Sequence, residues 1–280
     1  MTTVDELRRT GYEISQAIAP TWESRRAEIE EVAGPVSAWM VRELAPRPGD
    51  TVLELAAGVG DTGFAAARLV ASNGRLICTD FSPAMLDAAR RRGDELGLRN
   101  VEYRLVDAER IDLDSDSVDG VLCRYGYMLM ADPAAALAET RRVLRPGGRL
   151  ALAVWGPAER NPFFALVAMS LARRGHIPPP DPEGPGIFSM ASDERTTALL
   201  EGAGFEEVRT DEVKARFAFD DVDEYLTFIR DTAGPIALAL RGLSEEQRRE
   251  ISDDVEQAAA PFATEDGYVL PGVSLVAAAR

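Results

Sequence analysis

The sequence predicts an α/β fold, a doubly wound, mostly parallel sheet with helices on both faces. Between Thr51 and Trp155, short β-branched and apolar runs alternate with helix-like segments. The first of those runs ends at a glycine-rich turn, Gly58-Val59-Gly60-Asp61-Thr62-Gly63. The 280 residues are 46% hydrophobic and 28% charged, the balance of an ordinary globular chain rather than a disordered one. Strands separated by single helices run parallel, and right-handed crossovers leave a crevice at their carboxyl ends where the chain direction reverses. Residues just after strands one to four are therefore the first places to look for ligand contacts.

Taken in order, residues 1–46 read as helical, with Trp22 and Trp39 on otherwise polar segments. Thr51–Leu55 is the first strand and Gly63–Ala71 an alanine-rich helix. Arg75–Thr79 is the second strand, ended by Asp80. Ser82 caps the next helix with Pro83 at its first position, and that helix stops at Gly97. Val101–Val106 and Val118–Leu122 are strands three and four. A helix across Pro133–Leu144 ends at Arg145-Pro146-Gly147-Gly148, and Arg149–Trp155 is a nearly continuous apolar fifth strand. Gly175–Gly186 carries Pro178, Pro179, Pro180, Pro182 and Pro185, which exclude helix and inner strand there. Thr196–Gly202 reads as a helix, Phe205–Phe219 as a strand region, Val222–Ala260 as mostly amphipathic helix and Val273–Ala278 as the last strand.

The formal net charge of -16 argues against nucleic acid as a partner, because no Lys/Arg-rich block exists to displace condensed counterions. Cys78 and Cys123, the two cysteines, each sit in an apolar strand and are expected to fill the core rather than form a disulfide. With no charged-then-apolar amino terminus, they point to the cytoplasm. No uncharged apolar stretch approaches the ~18 residues that span a bilayer. His176 is the single histidine, and no His/Asp/Glu cluster has ligand spacing, so no metal is expected.

Gly58, Gly60 and Gly63 have the spacing G-x-G-x-x-G, and Asp80, at the end of strand two, can accept from ribose hydroxyls. Taken alone, that pattern suits a dinucleotide equally well. Charge separates the two readings. A pyrophosphate would lie at the helix amino terminus, where Asp61 and the nearby Glu54 would oppose it. A nucleoside bearing positive charge would meet them favourably.

At these residues the chain resembles the class I S-adenosylmethionine-dependent methyltransferases, the large group that includes the ubiquinone and menaquinone biosynthesis methyltransferases. The resemblance covers roughly 48–155. It rests on Val52-Leu53-Glu54-Leu55-Ala56-Ala57-Gly58-Val59-Gly60, on Thr79-Asp80-Phe81-Ser82 with Met85-Leu86, and on Val106-Asp107-Ala108-Glu109. Ser117-Val118-Asp119-Gly120-Val121 and Leu144-Arg145-Pro146-Gly147-Gly148 complete it. It implies a Rossmann-like methyltransferase fold with a seven-stranded sheet and helical lid segments, and S-adenosyl-L-methionine as cofactor. Under the resemblance, Glu54 and the backbone of Ala56, Gly58 and Gly60 hold the methionine end, and Asp80 binds the ribose. Phe81 and Met85 lie against the adenine, Asp107 and the Ala108 main chain take its amino group, and Cys123, Arg124 and Tyr125 border the methionine and the acceptor. The family's first motif often has glycine where Ala56 stands, and relatives vary greatly after strand four.

The organisation expected from this is an N-terminal helical lid over 1–46, a cofactor-binding α/β core over 47–156 and a lid or loop insertion over 157–194. A core helix and strand over 195–221, a helical cap insertion over 222–266 and a final core strand over 267–280 follow. Several residues also have plainer readings. Asp80 can cap a helix, Asp107 can hold a turn, Met85 can be core, Glu109 can be solvated, and Tyr12 and Trp22 can pack on the core edge. His176 and Tyr125 are the weak candidates for a base. Phe163, Phe164, Met169, Phe188, Met190, Tyr225, Phe228 and Ile229 fall in the lid segments, where they either line an apolar acceptor site or pack lid onto core. The activity expected is methyl transfer to a small, hydrophobic organic acceptor by a monomer or homodimer. The alternatives are an NAD(P)-dependent oxidoreductase on a similar sheet and a non-catalytic or repurposed member that keeps the cofactor pocket.

Overall fold

Two helices precede the sheet in the computed structural model, which describes residues 4–179 and 186–280. They are α1 (Val4–Ser24) and α2 (Arg26–Leu44). The alternating core follows as β1 (Thr51–Glu54), α3 (Asp61–Leu69), β2 (Arg75–Asp80), α4 (Pro83–Glu95), β3 (Val101–Leu105), β4 (Val118–Arg124), α5 (Pro133–Val143) and β5 (Leu144–Trp155). Then come α6 (Pro162–Arg173), α7 (Asp193–Gly202), β6 (Arg209–Phe219), α8 (Val222–Thr232), α9 (Gly234–Arg241), α10 (Glu245–Ala259), β7 (Ala263–Thr264) and β8 (Gly267–Ala279). Helix starts follow the local chemistry. Ser82 accepts from the Met85 amide with Pro83 next in line, Asp132 accepts from Ala135, and Ser244 with Gln247 forms a reciprocal capping box.

The sheet order is β3-β2-β1-β4-β5-β8-β6, with the two-residue β7 paired onto β8. The pairs from β3 to β5 are parallel, while β8 runs antiparallel to both β5 and β6. This is the expected doubly wound α/β sheet. Alternate strand residues feed two cores. Leu53, Ile77, Val121, Cys123, Leu150 and Leu152 face α5 and the later helices, whereas Val52, Leu76, Cys78, Leu122, Ala151 and Ala153 face α2 and α3. Both thiols are free and buried, and the sheet separates them.

Several element bounds differ from the sequence expectation for identifiable reasons. Leu144 already pairs with Val118, and Arg149 pairs with Gly120, so the segment between them bulges inside β5 rather than ending a helix. The residue before a proline is held extended, which makes Arg145-Pro146 hostile to a helical end. The sixth strand begins only at Arg209, because Glu207 adopts φ +51°, a left-handed angle that breaks a ladder. Gly234-Pro235 and Gly242 divide the expected helix over Val222–Ala260 into three. Residues 157–194, expected as lid or loop, contain the twelve-residue α6. The final strand reaches back through Pro271 to Gly267. Only Ser274–Ala279 pairs with β5, so a missing N–H at Pro271 costs no bond on that side. Pro178 and Pro179 lie outside any helix or strand, and Pro180, Pro182 and Pro185 lie outside the described residues.

Candidate cofactor and acceptor site

The turn after β1 reverses the chain by three left-handed angles, at Ala56 (φ +50°), Gly58 (φ +56°) and Gly60 (φ +96°). The first explains why glycine is common at that position in the resembling family, since alanine tolerates it only with some strain. A side chain at Gly60 would place its Cβ 2.5 Å from the Phe64 ring, and one at Gly63 would lie 2.2 Å from Glu54 Oε2. These two glycines therefore serve packing. Gly63 leaves room for an acid, and its own amide donates to Glu54 Oε1 at 2.8 Å.

Glu54 is only 3% exposed, and its Oε2 has no partner. Burial pushes its carboxyl up to about 8, against the pull of the Gly63 amide and Arg124. Asp80, 5% exposed, accepts from the Gly58 amide through Oδ2 and from the Ser82 amide through Oδ1, both at 2.9 Å. Desolvation raises it to about 6. Asp61 opens α3 with Oδ2 buried and unpartnered, and the Arg92 guanidinium lies 3.8 Å from its other oxygen. Buried acceptors without donors are costly, so this turn suits a guest that brings N–H groups or positive charge. S-adenosylmethionine carries an ammonium and a sulfonium, and these acidic acceptors fit it on that ground.

Helix α1 lies over the same ground. Trp22 comes within 3.5 Å of where a Gly58 Cβ would stand, and its indole N–H donates to the Thr232 carbonyl. Gln16 Oε1 accepts from Ser82 Oγ and from the Ala84 amide. Tyr12 meets Phe81 edge-on at 6.1 Å. Arg8 pairs with Glu109 and lies 3.8 Å from Asp107. Met85 is buried beneath α1 with Ile14, Ile18 and Val59, which favours its plainer reading as core. Glu109 is not solvated: its side chain is 3% exposed and also accepts from the Ala131 amide. Asp107 is exposed and accepts from the Glu109 amide, and Ala108 is buried beside it. Arg8 and Gln16 escaped sequence reading, although Arg8, Tyr12, Gln16, Ala19 and Trp22 share the spacing of one helical stripe.

The comparisons with known proteins bear on this geometry. The methyltransferase domain family matches residues 52–148. The chain is 36% identical over 137 residues to a demethylmenaquinone methyltransferase of Clavibacter sepedonicus, covering 48% of this chain and 49% of that protein. Thus it spans about half the length of that relative. To the ubiquinone/menaquinone biosynthesis C-methyltransferase of Escherichia coli it is 31% identical over 172 residues, covering 58% of this chain and 68% of that one. The chain belongs to the class I S-adenosylmethionine-dependent methyltransferases. Its fold is shared with the YcgJ protein of Bacillus subtilis, at a TM-score of 0.58 and 20% identity over 87% of this chain and 97% of that one. Family membership removes the dinucleotide reading of the glycine pattern.

In this member of the family the end of β4 separates three side chains that the sequence grouped together. Cys123 is wholly buried, its thiol pushed up to about 12 by desolvation, and its sulfur packs under Gly126 beside Ala56 of the glycine turn. Arg124 points to the other face, donating to Ser37 Oγ at 2.8 Å and lying 3.5 Å from Glu30. Tyr125, at φ +60°, stacks on Trp155 with centroids 4.4 Å apart, and its hydroxyl shares a hydrogen bond with Ser274. Burial raises that phenol to about 12, too high for a base at neutral pH. His176 follows the far end of α6, about 18 Å of helix from Pro162 at its start. Neither residue is placed as a base.

The lid aromatics form a closed stack. Phe163 lies parallel to Phe217 at 3.6 Å and contacts Phe219, Tyr225 and Phe228. Phe164, Met190 and Ile229 are buried with them, Phe188 is half-buried, and Met169 is 65% exposed. These rings pack lid onto core.

Proposed function

We propose that this protein transfers the methyl group of S-adenosylmethionine to a small, hydrophobic organic acceptor. The observation that carries it is Glu54, a buried acid with one unpartnered oxygen behind a glycine turn in a chain of the methyltransferase family. Glu54 and the turn from Ala56 to Gly60 hold the methionine end. Asp80, already organised by two backbone amides, receives the ribose, Phe81 lies against the adenine, and Asp107 with Ala108 takes the adenine amino group. The cofactor supplies an activated methyl group, and the chain's residues orient the acceptor and exclude water. Tyr125 and Trp155, stacked at the mouth of β4, form an apolar wall for that acceptor. No base is assigned, and none is required for an acceptor that is nucleophilic without losing a proton.

An excess of negative charge favours a small molecule over nucleic acid as partner, and two unpaired thiols favour a reducing cytoplasm. Among the described residues no helix is long and apolar enough to cross a membrane. The test pairs binding with turnover. S-adenosylhomocysteine raises the melting temperature and NADH does not, and labelled methyl appears in product from a panel of quinols, phenols and amines. A shift with NADH alone, or a cofactor shift without label on any acceptor, overturns the reading.

A further inference from the structure

Arg124 ends β4 with a side chain only 9% exposed. Its Nη1 donates to Ser37 Oγ, and Ser37 is hydrogen-bonded at 3.0 Å to Thr62 Oγ1 in the first turn of α3. The guanidinium is thereby anchored beside the glycine turn by one corner. The tie to Glu30 is long, at 3.5 Å, and that carboxylate is half-buried. The Nε and Nη2 donors make no hydrogen bond to any described residue, so the edge of the guanidinium that binds carboxylates in parallel fashion is left over. Near it, Glu54 and Asp61 each keep a buried oxygen without a donor. The Arg124 charge pulls both acids down against their burial, which marks it as their neighbour. A cation with two spare donors beside two acids with spare acceptors is the complement of an amino-acid zwitterion.

We infer that Arg124 receives the α-carboxylate of the cofactor's methionine end while Glu54 and Asp61 face its ammonium, so that the crevice selects nucleosides bearing an intact amino acid. The inference rests on the cofactor reading above and adds a specificity-determining residue to it. Lysine cannot reproduce a planar two-donor edge, and a neutral side chain removes the attraction altogether.

Calorimetric titration tests it with two probes, S-adenosylhomocysteine and its decarboxylated analogue S-adenosyl-3-thiopropylamine, which keeps nucleoside and ammonium but has no carboxylate. The wild-type protein is expected to prefer the first by roughly 10- to 100-fold, the range of charge-assisted hydrogen bonds. Arg124→Met lowers that preference to about threefold or less while leaving the analogue's affinity nearly unchanged, and Arg124→Lys restores part of it. Equal loss for both probes, as a merely structural role would give, overturns the assignment, and so does an undiminished preference in Arg124→Met. Should that variant not fold, Ser37→Ala removes only the hydroxyl that orients Nη1. It is expected to narrow the preference by about threefold, and an unaltered preference counts against Arg124. Failure of wild-type protein to bind S-adenosylhomocysteine at all removes the cofactor reading itself, whereas binding without carboxylate preference removes only this inference.

Discussion

The carboxyl ends of β1 and β2 and the aromatic cap over β5, β6 and β8 are both buried, yet their polar atoms are treated in opposite ways. Around the glycine turn, Glu54 Oε2, Asp61 Oδ2 and Arg92 Nε lack hydrogen-bond partners, and so does Arg8 Nε nearby on α1. No other buried side-chain nitrogen or oxygen among the described residues is left so. In the cap, by contrast, Tyr225 donates to the Phe163 carbonyl. Asn161 bonds Gly156, Pro157 and both backbone groups of Val273, and Ser170 with Arg173 and Arg174 gathers on Asp254. An unsatisfied buried polar atom costs about 1–3 kcal/mol, so a fold tolerates several together mainly where a ligand repays them. Under the proposed function the first region is organised for a guest, whereas the second is a finished core.

The largest effect that sharpens this contrast belongs to the cap. Phe163→Ala, removing the ring stacked on Phe217, is expected to lower stability by about 3–5 kcal/mol in urea denaturation. Affinity for S-adenosylhomocysteine should stay within about twofold. A large loss of affinity with little loss of stability would make the cap a ligand wall and break the comparison.

A smaller effect tests the strained acid. Burial holds Glu54 near 8 in the folded chain against an ordinary 4.5, so between those values the folded state keeps a proton that the unfolded chain has released. Its contribution to stability is full below about 4.5 and disappears as pH rises through about 8. Glu54→Gln removes that dependence, so without ligand the variant gains on wild type by roughly 2–4 °C in melting temperature between pH 5 and pH 9. Parallel melting curves across that range would show that the acid carries no burial penalty. Asp80, raised to about 6, adds a slope over lower pH in both proteins alike.

The smallest effect concerns α1. Arg8→Ala deprives the buried Glu109 of its cation and is expected to cost about 1 kcal/mol. Hydrogen exchange should quicken along α1 and leave α8 to α10 unchanged. Uniform quickening in both would deny that α1 is a separately held cover.

Local pattern alone determined the alternating strands and helices, the cap at Ser82, the glycine turn and the acids at Glu54 and Asp80. All of these depend on neighbours in the chain or on a period that burial imposes. Tertiary structure decided the rest. Gly63 looked like part of a ligand loop and proved to be the seat of Glu54. Arg124, adjacent to Cys123 in sequence, faces the opposite side of the sheet, because strand side chains alternate. Arg8, Gln16 and Ser37 gained meaning only when α1 and α2 closed on residues far along the chain. Short-range sterics and hydrophobic period are written residue by residue, whereas the partner of a charged side chain is set by packing between elements, which no single stretch of sequence contains.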